Sequence, residues 1–184
     1  MQIYVLDLDK NTVKQLTDED PSNILKPDWS RQPAWSPSGT QILYTRHSLL
    51  TNTLQIWIMS DAGQGQTFLI HQGDVLWDFL PSWSPNGSKI IFSEMAGDRD
   101  PSRSRLIVYD YQGLQPAVTL RNEAFGTHDD FSPDGSWLVY EDELASRLDY
   151  DIYIIKSDGT GPITNQTNNS AMDFDPVWRP LVTP

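Results

Sequence analysis

A five-residue motif recurs along the chain at an almost constant spacing, and it constrains the fold more than any other feature. Its copies are Trp35-Ser36-Pro37-Ser38-Gly39, Trp83-Ser84-Pro85-Asn86-Gly87, Phe131-Ser132-Pro133-Asp134-Gly135 and the partial Trp178-Arg179-Pro180. The leading aromatic residues are 48, 48 and 47 residues apart. A fixed period in the range of roughly 20–50 residues is typical of repeat architectures, in which each repeat is one structural unit.

Short apolar runs follow each copy of the motif. The first runs are 42–44, 90–92 and 138–140, and the second runs are 56–59, 106–109 and 152–155, with a further match at 3–6. These runs are rich in β-branched and aromatic residues and are bounded by Gly, Pro, Asn and Asp, which predicts β-strands. Four strands in about 40–50 residues are typical of a propeller blade. The sequence therefore predicts an all-β fold, a β-propeller of four-stranded antiparallel blades.

The repeats divide the chain into about four blades within a single domain, 1–184. A partial blade is predicted at 1–20, complete blades at about 33–72, 81–121 and 129–168, and a closing strand at 174–180. Three arrangements fit: a four-bladed ring with one blade composed of both termini, a fragment of a larger propeller, or a ring completed by a second chain. Leu181-Val182 is the candidate for the strand that the composite blade lacks. Open blade edges would favour self-association.

The Ser-Pro-x-Gly part of the motif has a local structural explanation. Proline presets φ for the first corner of a β-turn, and glycine accepts the positive φ that can follow. Ser36, Ser84 and Ser132 are therefore predicted to be turn residues rather than nucleophiles. The aromatic residue before each serine is predicted to pack between neighbouring blades.

Composition excludes several classes of function. The net charge of −12 argues against a nucleic-acid partner and against an anionic membrane surface, both of which attract clustered Lys and Arg. Disulfides and cysteine-based metal sites are excluded, because the chain has no cysteine. No apolar run approaches the ~20 residues that span a bilayer. Residues 1–7 lack the features of a signal peptide.

Several segments resemble the repeat of the TolB-type propellers, a bacterial WD-like repeat family. The matching segments are 78–87, which reads Asp-Phe-Leu-Pro-Ser-Trp-Ser-Pro-Asn-Gly, then 173–178 and 152–159. This resemblance implies protein binding at the mouth of the propeller, as in the periplasmic TolB component that contacts a lipoprotein. It equally implies a propeller attached to an enzyme or regulator, as in prolyl-oligopeptidase-like hydrolases. It favours a periplasmic or extracellular location.

Alternating strands place the short turns on one face of a propeller and the long loops on the other, the loop face. The predicted loops hold 17 of the 25 acidic residues. Loops carry function when a rigid scaffold presents them. This face is predicted to attract a basic protein segment or a cation. The alternative is that the acidic loops serve only solubility.

Two tryptophans outside the phased positions are candidate contacts for a partner. Trp29 and Trp77 fall in predicted loops. An exposed tryptophan is a common anchor in protein interfaces. The alternative is that each indole is buried beneath its loop.

Acidic residues near the inner strands are the other candidates. His128, Asp129 and Asp130 precede Phe131 near the predicted channel mouth. Together with Asp78 and Asp173, Asp130 would ring the channel entrance, where carboxylates either bind a cation or cap loop amides. No cofactor is predicted, apart from a divalent cation that these carboxylates would hold.

Catalytic motifs are missing from the sequence. It contains no Gly-x-Ser-x-Gly elbow and no phosphate-binding loop, and His47, His71 and His128 lack metal-ligand spacing. The sequence therefore predicts a non-catalytic scaffold that binds a protein or peptide, preferably a basic one, through its acidic loop face. The alternative is a carbohydrate-binding or hydrolase-associated propeller, in which loop carboxylates act beside a tryptophan that stacks on a sugar.

Overall fold

The computed structural model describes residues 1–18, 29–48, 52–70, 76–96, 105–112, 115–122, 128–143 and 150–179. This part of the chain forms strands joined by turns and contains no helix, and so no helix that could cross a membrane. The strands are β1 (Tyr4–Asp7), β2 (Thr12–Gln15), β3 (Trp29–Trp35), β4 (Gln41–Ser48), β5 (Thr53–Ser60), β6 (Thr67–Ile70), β7 (Leu76–Trp83), β8 (Lys89–Ala96), β9 (Arg105–Asp110), β10 (Gln115–Asn122), β11 (Asp129–Phe131), β12 (Trp137–Glu143), β13 (Tyr150–Lys156) and β14 (Thr164–Asn165). The predicted all-β fold is confirmed.

Three antiparallel blades follow one another along the chain. They are β3–β6, β7–β10 and β11–β14, and a single parallel bridge between Leu54 and Trp77 joins the first two into one sheet. The hairpin β1–β2 is a separate two-stranded sheet that corresponds to the outer pair of a blade. The first two inner strands begin at Trp29 and Leu76, earlier than the predicted blade limits at 33 and 81.

The motif serines build the turn between the first two strands of each blade. The backbone carbonyls of Ser36, Ser84 and Ser132 accept the amide of the motif glycine at 2.9, 2.8 and 2.7 Å. Each serine hydroxyl also accepts an amide five residues later, at 2.8–3.0 Å. Their predicted role as turn residues is confirmed.

The hydrophobic core is divided among the contacts between successive blades. One cluster joins the hairpin to the first blade, a second joins the first and second blades, and a third joins the second and third blades. Side chains of the second strands alternate between clusters, as strand geometry requires. Ile42 and Tyr44 pack toward the hairpin, whereas Leu43 packs toward the second blade. The stability of the fold therefore comes from the stacking of blades.

The aromatic residues that open the motif follow this packing with one exception. Trp83 and Phe131 are buried between blades as predicted, and Trp83 Nε1 donates to the carbonyl of Ala34 in the preceding blade at 3.2 Å. Trp35 is 49% exposed, so the prediction is wrong there. The hairpin before it supplies an outer pair of strands, and no described inner strand covers this indole.

The contact between hairpin and first blade gives a stability prediction. Gly63 has φ +79°, and a Cβ at this position would lie 2.9 Å from the carbonyl oxygen of Leu16. Gly39 has φ +70° with open space around it. We expect Gly39→Ala to cost about 1–2 kcal/mol from left-handed backbone alone, and Gly63→Ala to cost at least ~1 kcal/mol more, measured by urea unfolding. Equal losses would show that Gly63 does not form this close contact.

The two ends of the described chain expose apolar side chains. Tyr4, Leu6 and Val13 are exposed on the hairpin, and Val177 is 80% exposed near the other end. Leu181 and Val182 lie outside the described residues, as does much of the acidic loop face. How the ring is completed therefore stays a prediction.

Candidate functional site at the meeting of the inner strands

The inner strands of the three blades meet around a pocket of about 200 Å³. Strand β7 contacts both β3 and β11. The pocket is lined by Gln32, Pro33, Leu80, Pro81, Ser82, His128 and Asp129. Apart from Ser82, these are equivalent positions of successive repeats, 48 residues apart, so the propeller symmetry itself brings them together.

A bulge in the inner strands shapes the lining. Gln32 and Leu80 both have φ +56° and each precedes a proline, and the pairing register shifts at these points in both blades. Gln32 Oε1 accepts hydrogen bonds from Thr45 Oγ1 at 2.9 Å and from the backbone N–H of Leu80 at 3.2 Å. A β-bulge leaves one residue outside the regular hydrogen bonding between strands. At this bulge the side chain of Gln32 links the first blade to the second.

Asp129 occupies the position of the proline in the third blade. It pairs regularly with Tyr140, without the register shift of the other blades. Although the residue as a whole is partly exposed, both carboxylate oxygens are inaccessible and lack a hydrogen-bond partner within the described structure. Burial, followed by the charges of Asp130 and Glu141, raises the pKa of Asp129 to about 8. The carboxyl group is therefore largely protonated at neutral pH when no cation is bound.

His128 belongs to a second group of polar side chains beside the pocket. Its Nδ1 lies 3.0 Å from Asp175 Oδ1 and 3.5 Å from Glu141 Oε1. The other Glu141 oxygen accepts the backbone N–H of Asp175 at 2.8 Å. Glu141 is buried in β12, whereas the side chains of His128 and Asp175 are 53% and 73% exposed. One donor atom from each of the three residues lies within 4.8 Å of the others, an arrangement that can hold a metal ion.

The sequence singled out His128 and Asp129 but missed Glu141 and Asp175 as members of the same group. A signal was present in the repeat. Positions 48 and 96 residues before Glu141 hold Ser93 and Thr45. A carboxylate in place of a small hydroxyl, inside an apolar strand, marks a departure of the third repeat from the other two.

Asp78 lies inside a blade and not on the surface predicted for it. It is 1% exposed within β7 and pairs in register with Glu94. Its Oδ1 has no hydrogen-bond partner among the described residues. Burial and then the charge of Glu94 raise its pKa well above the usual range, while Arg105, ion-paired with Glu94, opposes that shift. Because strand β7 already begins at Leu76, Asp78 is part of the sheet and does not lie in the loop before it.

Trp29 and Trp77 are both partly buried. Trp29 stacks on His47 with ring centroids 4.8 Å apart, and the Arg31 guanidinium lies 4.2 Å from the centroid of its ring. Trp77 Nε1 donates to the carbonyl of Asn52 at 3.0 Å. Trp29 is thus held within its own blade and Trp77 by the preceding blade, and a contact with a partner stays a prediction for both.

Asp130 and Asp173 accept hydrogen bonds near the end of the described chain. Asp130 Oδ2 accepts the backbone N–H of Trp178 at 3.3 Å, and its carbonyl accepts the indole N–H of the same residue at 3.2 Å. Asp173 Oδ2 accepts from Asn169 Nδ2 at 2.9 Å. Burial raises the pKa of Asp130. Asp130 therefore anchors the segment that follows the third blade.

The predicted ring of Asp78, Asp130 and Asp173 does not form at one level of the channel. Asp78 and Asp173 each lie five residues before the phased aromatic residue of their repeat, whereas Asp130 immediately precedes Phe131. The 48-residue symmetry therefore places Asp130 at a different height. The group that the structure does bring together is His128, Glu141 and Asp175.

The architecture is that of a β-propeller, a fold shared with solved TolB structures. A putative TolB from Agrobacterium tumefaciens superposes with a TM-score of 0.67 at 21% identity, covering 96% of this chain and 61% of that one. A nidogen/laminin complex gives 0.64 at 19% identity, covering 91% and 59%. An oligogalacturonate lyase in complex with manganese gives 0.64 at 16% identity, covering 86% and 40%.

These likenesses establish the fold. The chain spans 40–61% of the length of the three structures, which include a protein complex and an enzyme. A scan of protein-family models and a search of curated proteins gave no match. Function must therefore be argued from the site.

Proposed function

We propose that the chain is a non-catalytic scaffold that binds an extended protein or peptide segment at the inner-strand pocket. The pocket carries this proposal, because Pro33, Leu80 and Pro81 give it an apolar wall while His128 and Asp129 add polar groups. Binding sites commonly combine these two elements. At about 200 Å³ the pocket is smaller than the ~300–1,000 Å³ of typical small-molecule sites, and its size suits one side chain of a partner.

Charge indicates the chemistry of that partner. The chain carries a net charge of −12, and Glu141 and Asp175 lie beside the pocket wall formed by His128. An acidic surface steers positively charged segments toward itself and raises their association rate. We therefore expect a segment in which a basic residue follows or precedes an apolar one.

The solved structures support a binding role for this fold, since one of them is a nidogen/laminin complex. Because another of these structures is an oligogalacturonate lyase, a carbohydrate-binding or hydrolase-associated propeller stays the alternative. For Glu141 and Asp175, however, the facing ligand atoms lie within 4.8 Å. Carboxyl pairs that cleave glycosides are about 5–9.5 Å apart. This pair is therefore better suited to sharing a cation than to flanking a sugar bond.

The peptide proposal can be tested with peptides selected from a phage-displayed library on the intact chain. We expect Leu80→Ala to weaken the selected peptides about tenfold, or ~1.4 kcal/mol, through loss of apolar contact in the pocket. Leu8→Ala is the matched control, because Leu8 is 83% exposed on the hairpin. Binding is measured by fluorescence anisotropy of the labelled peptides.

Three outcomes count against the proposal. Equal affinity of the two leucine variants would place the peptides elsewhere. Failure to select any peptide would remove the peptide-binding role, and binding of oligogalacturonate in its place would favour the carbohydrate alternative. Trp77→Ala, run beside Leu80→Ala, shows whether the segment extends from the pocket onto the loop face.

A further inference from the structure

We propose that His128, Glu141 and Asp175 bind one divalent first-row transition-metal ion, of the kind represented by Zn²⁺ or Mn²⁺. This inference is independent of the peptide-binding proposal. The separations of the donor atoms carry it. His128 Nδ1 lies 3.0 Å from Asp175 Oδ1 and 3.5 Å from Glu141 Oε1. Tetrahedral ligands with metal bonds of about 2.0–2.2 Å lie about 3.3–3.6 Å apart, so small shifts would complete the site.

The surrounding structure already orients the buried ligand. Glu141 is fixed in β12 between regular pairs with β13. Its Oε2 accepts the backbone N–H of Asp175 at 2.8 Å, and its Oε1 faces His128. Partners of this kind orient metal ligands and strengthen metal binding in proteins. Asp175 approaches from a separate segment with φ +53°, the same left-handed geometry as Gln32 and Leu80.

Asp129 provides a second and independent observation. Both of its carboxylate oxygens are inaccessible and have no partner among the described residues, and it lines the same pocket as His128. Burying a carboxyl group without hydrogen bonds is costly, and such groups are commonly compensated by a cation. Because His128 and Asp129 line the same pocket, a cation held by His128 would bring positive charge to the side of the pocket where this unpartnered group lies.

The internal repeat shows that these donors are not part of the general blade design. The positions of His128, Asp129 and Glu141 hold leucine, proline and serine in the second repeat, and glutamine, proline and threonine in the first. The third repeat therefore departs from the other two with three potential ligands. His128 and Glu141 lie together, because β11 pairs with β12 and the backbone N–H of Glu141 donates to the carbonyl of His128 at 3.3 Å.

The donor set selects the class of ion. Imidazole nitrogen with carboxylate oxygen suits Zn²⁺, Mn²⁺ and related ions. Ca²⁺ and Mg²⁺ prefer a shell of oxygen ligands alone. The histidine thus predicts discrimination against both of these hard cations.

The test is isothermal titration calorimetry of the intact chain, stripped of metal, with Zn²⁺, Mn²⁺, Ca²⁺ and Mg²⁺ in turn. We expect one equivalent of Zn²⁺ or Mn²⁺ to bind more tightly than either Ca²⁺ or Mg²⁺. His128→Ala and Asp175→Asn are expected to weaken that binding at least tenfold, since losing even an orienting partner costs about 10–100-fold. Both side chains are substantially exposed, so both variants should fold, and circular dichroism of each variant tests this.

Asp61→Asn is the matched control, since it removes one exposed carboxylate from the turn after β5 in the first blade and should leave binding unchanged. In addition, the imidazole NMR signals of His128 should shift on addition of Zn²⁺. The proposal is overturned if no stoichiometric binding occurs, if His128→Ala and Asp175→Asn bind like the original chain, or if Ca²⁺ binds more tightly than Zn²⁺ and Mn²⁺.

Discussion

Phe92→Ala is expected to lower the free energy of unfolding by about 3–5 kcal/mol, the range for truncating a buried aromatic side chain. Phe92 is 1% exposed in the cluster between the first and second blades. It packs there with Leu43 and Ile56 of the preceding blade. Its loss would leave a cavity in the contact that holds two blades together, and it should lower the cooperativity of unfolding as well.

Phe68→Ala is the matched control, because Phe68 is 39% exposed on the outer strand β6. The same atoms are removed there from a less buried place, and we expect a cost of about 1 kcal/mol. Both variants are compared by urea denaturation, monitored by tryptophan fluorescence. Similar losses for the two variants would contradict the view that interblade packing carries the stability.

Phe92 also shows why the fold was predictable from the sequence. It is the middle member of a series with Tyr44 and Tyr140, spaced by 48 residues and nearly inaccessible in every case. A blade cannot bury its faces alone, so the repeat keeps a large side chain at each of these positions. The apolar strand runs and the turn motif repeat with the same 48-residue spacing. The propeller architecture could therefore be predicted from a single sequence.

The candidate site was only partly predictable, since it depends on register. His128 and Asp129 attracted notice because they stand beside the motif. Glu141 comes beside His128 because β11 and β12 pair antiparallel, and Asp175 joins them because its backbone N–H donates to Glu141 and its carboxylate contacts His128. The spacing of these residues along the sequence does not indicate which of them come into contact. Departures of one repeat from the other two would have been the more useful signal.

Asp78 illustrates the opposite error. Its acidic side chain in a segment rich in turn residues predicted a loop, yet the strand extends through it. Pairing with β8 then places two carboxylates, Asp78 and Glu94, side by side inside the second blade. Burying like charges is costly unless a cation compensates them. Arg105, from the next strand, supplies that cation.

Arg105→Leu is therefore expected to destabilise the fold by about 2–3 kcal/mol at pH 8, less than the ~3–5 kcal/mol for a wholly buried pair because Arg105 is partly exposed. The loss should depend on pH. The raised pKa of Asp78 means that the folded chain keeps a proton that the unfolded chain releases above its ordinary value of 3.8. Stability consequently falls as pH rises from that value toward the folded pKa, and removing Arg105 raises the folded pKa further.

The deficit of Arg105→Leu should thus be largest at pH 8 and should shrink as pH falls toward 4, where Asp78 is protonated in the folded state of both proteins. Arg105→Lys keeps the charge and serves as the control, with a smaller deficit that varies less with pH. Urea unfolding of the three proteins between pH 4 and 8 measures both effects. A deficit of the same size across this range would mean that Arg105 stabilises the blade through the packing of its aliphatic stem, and that its charge does not compensate the two buried acids.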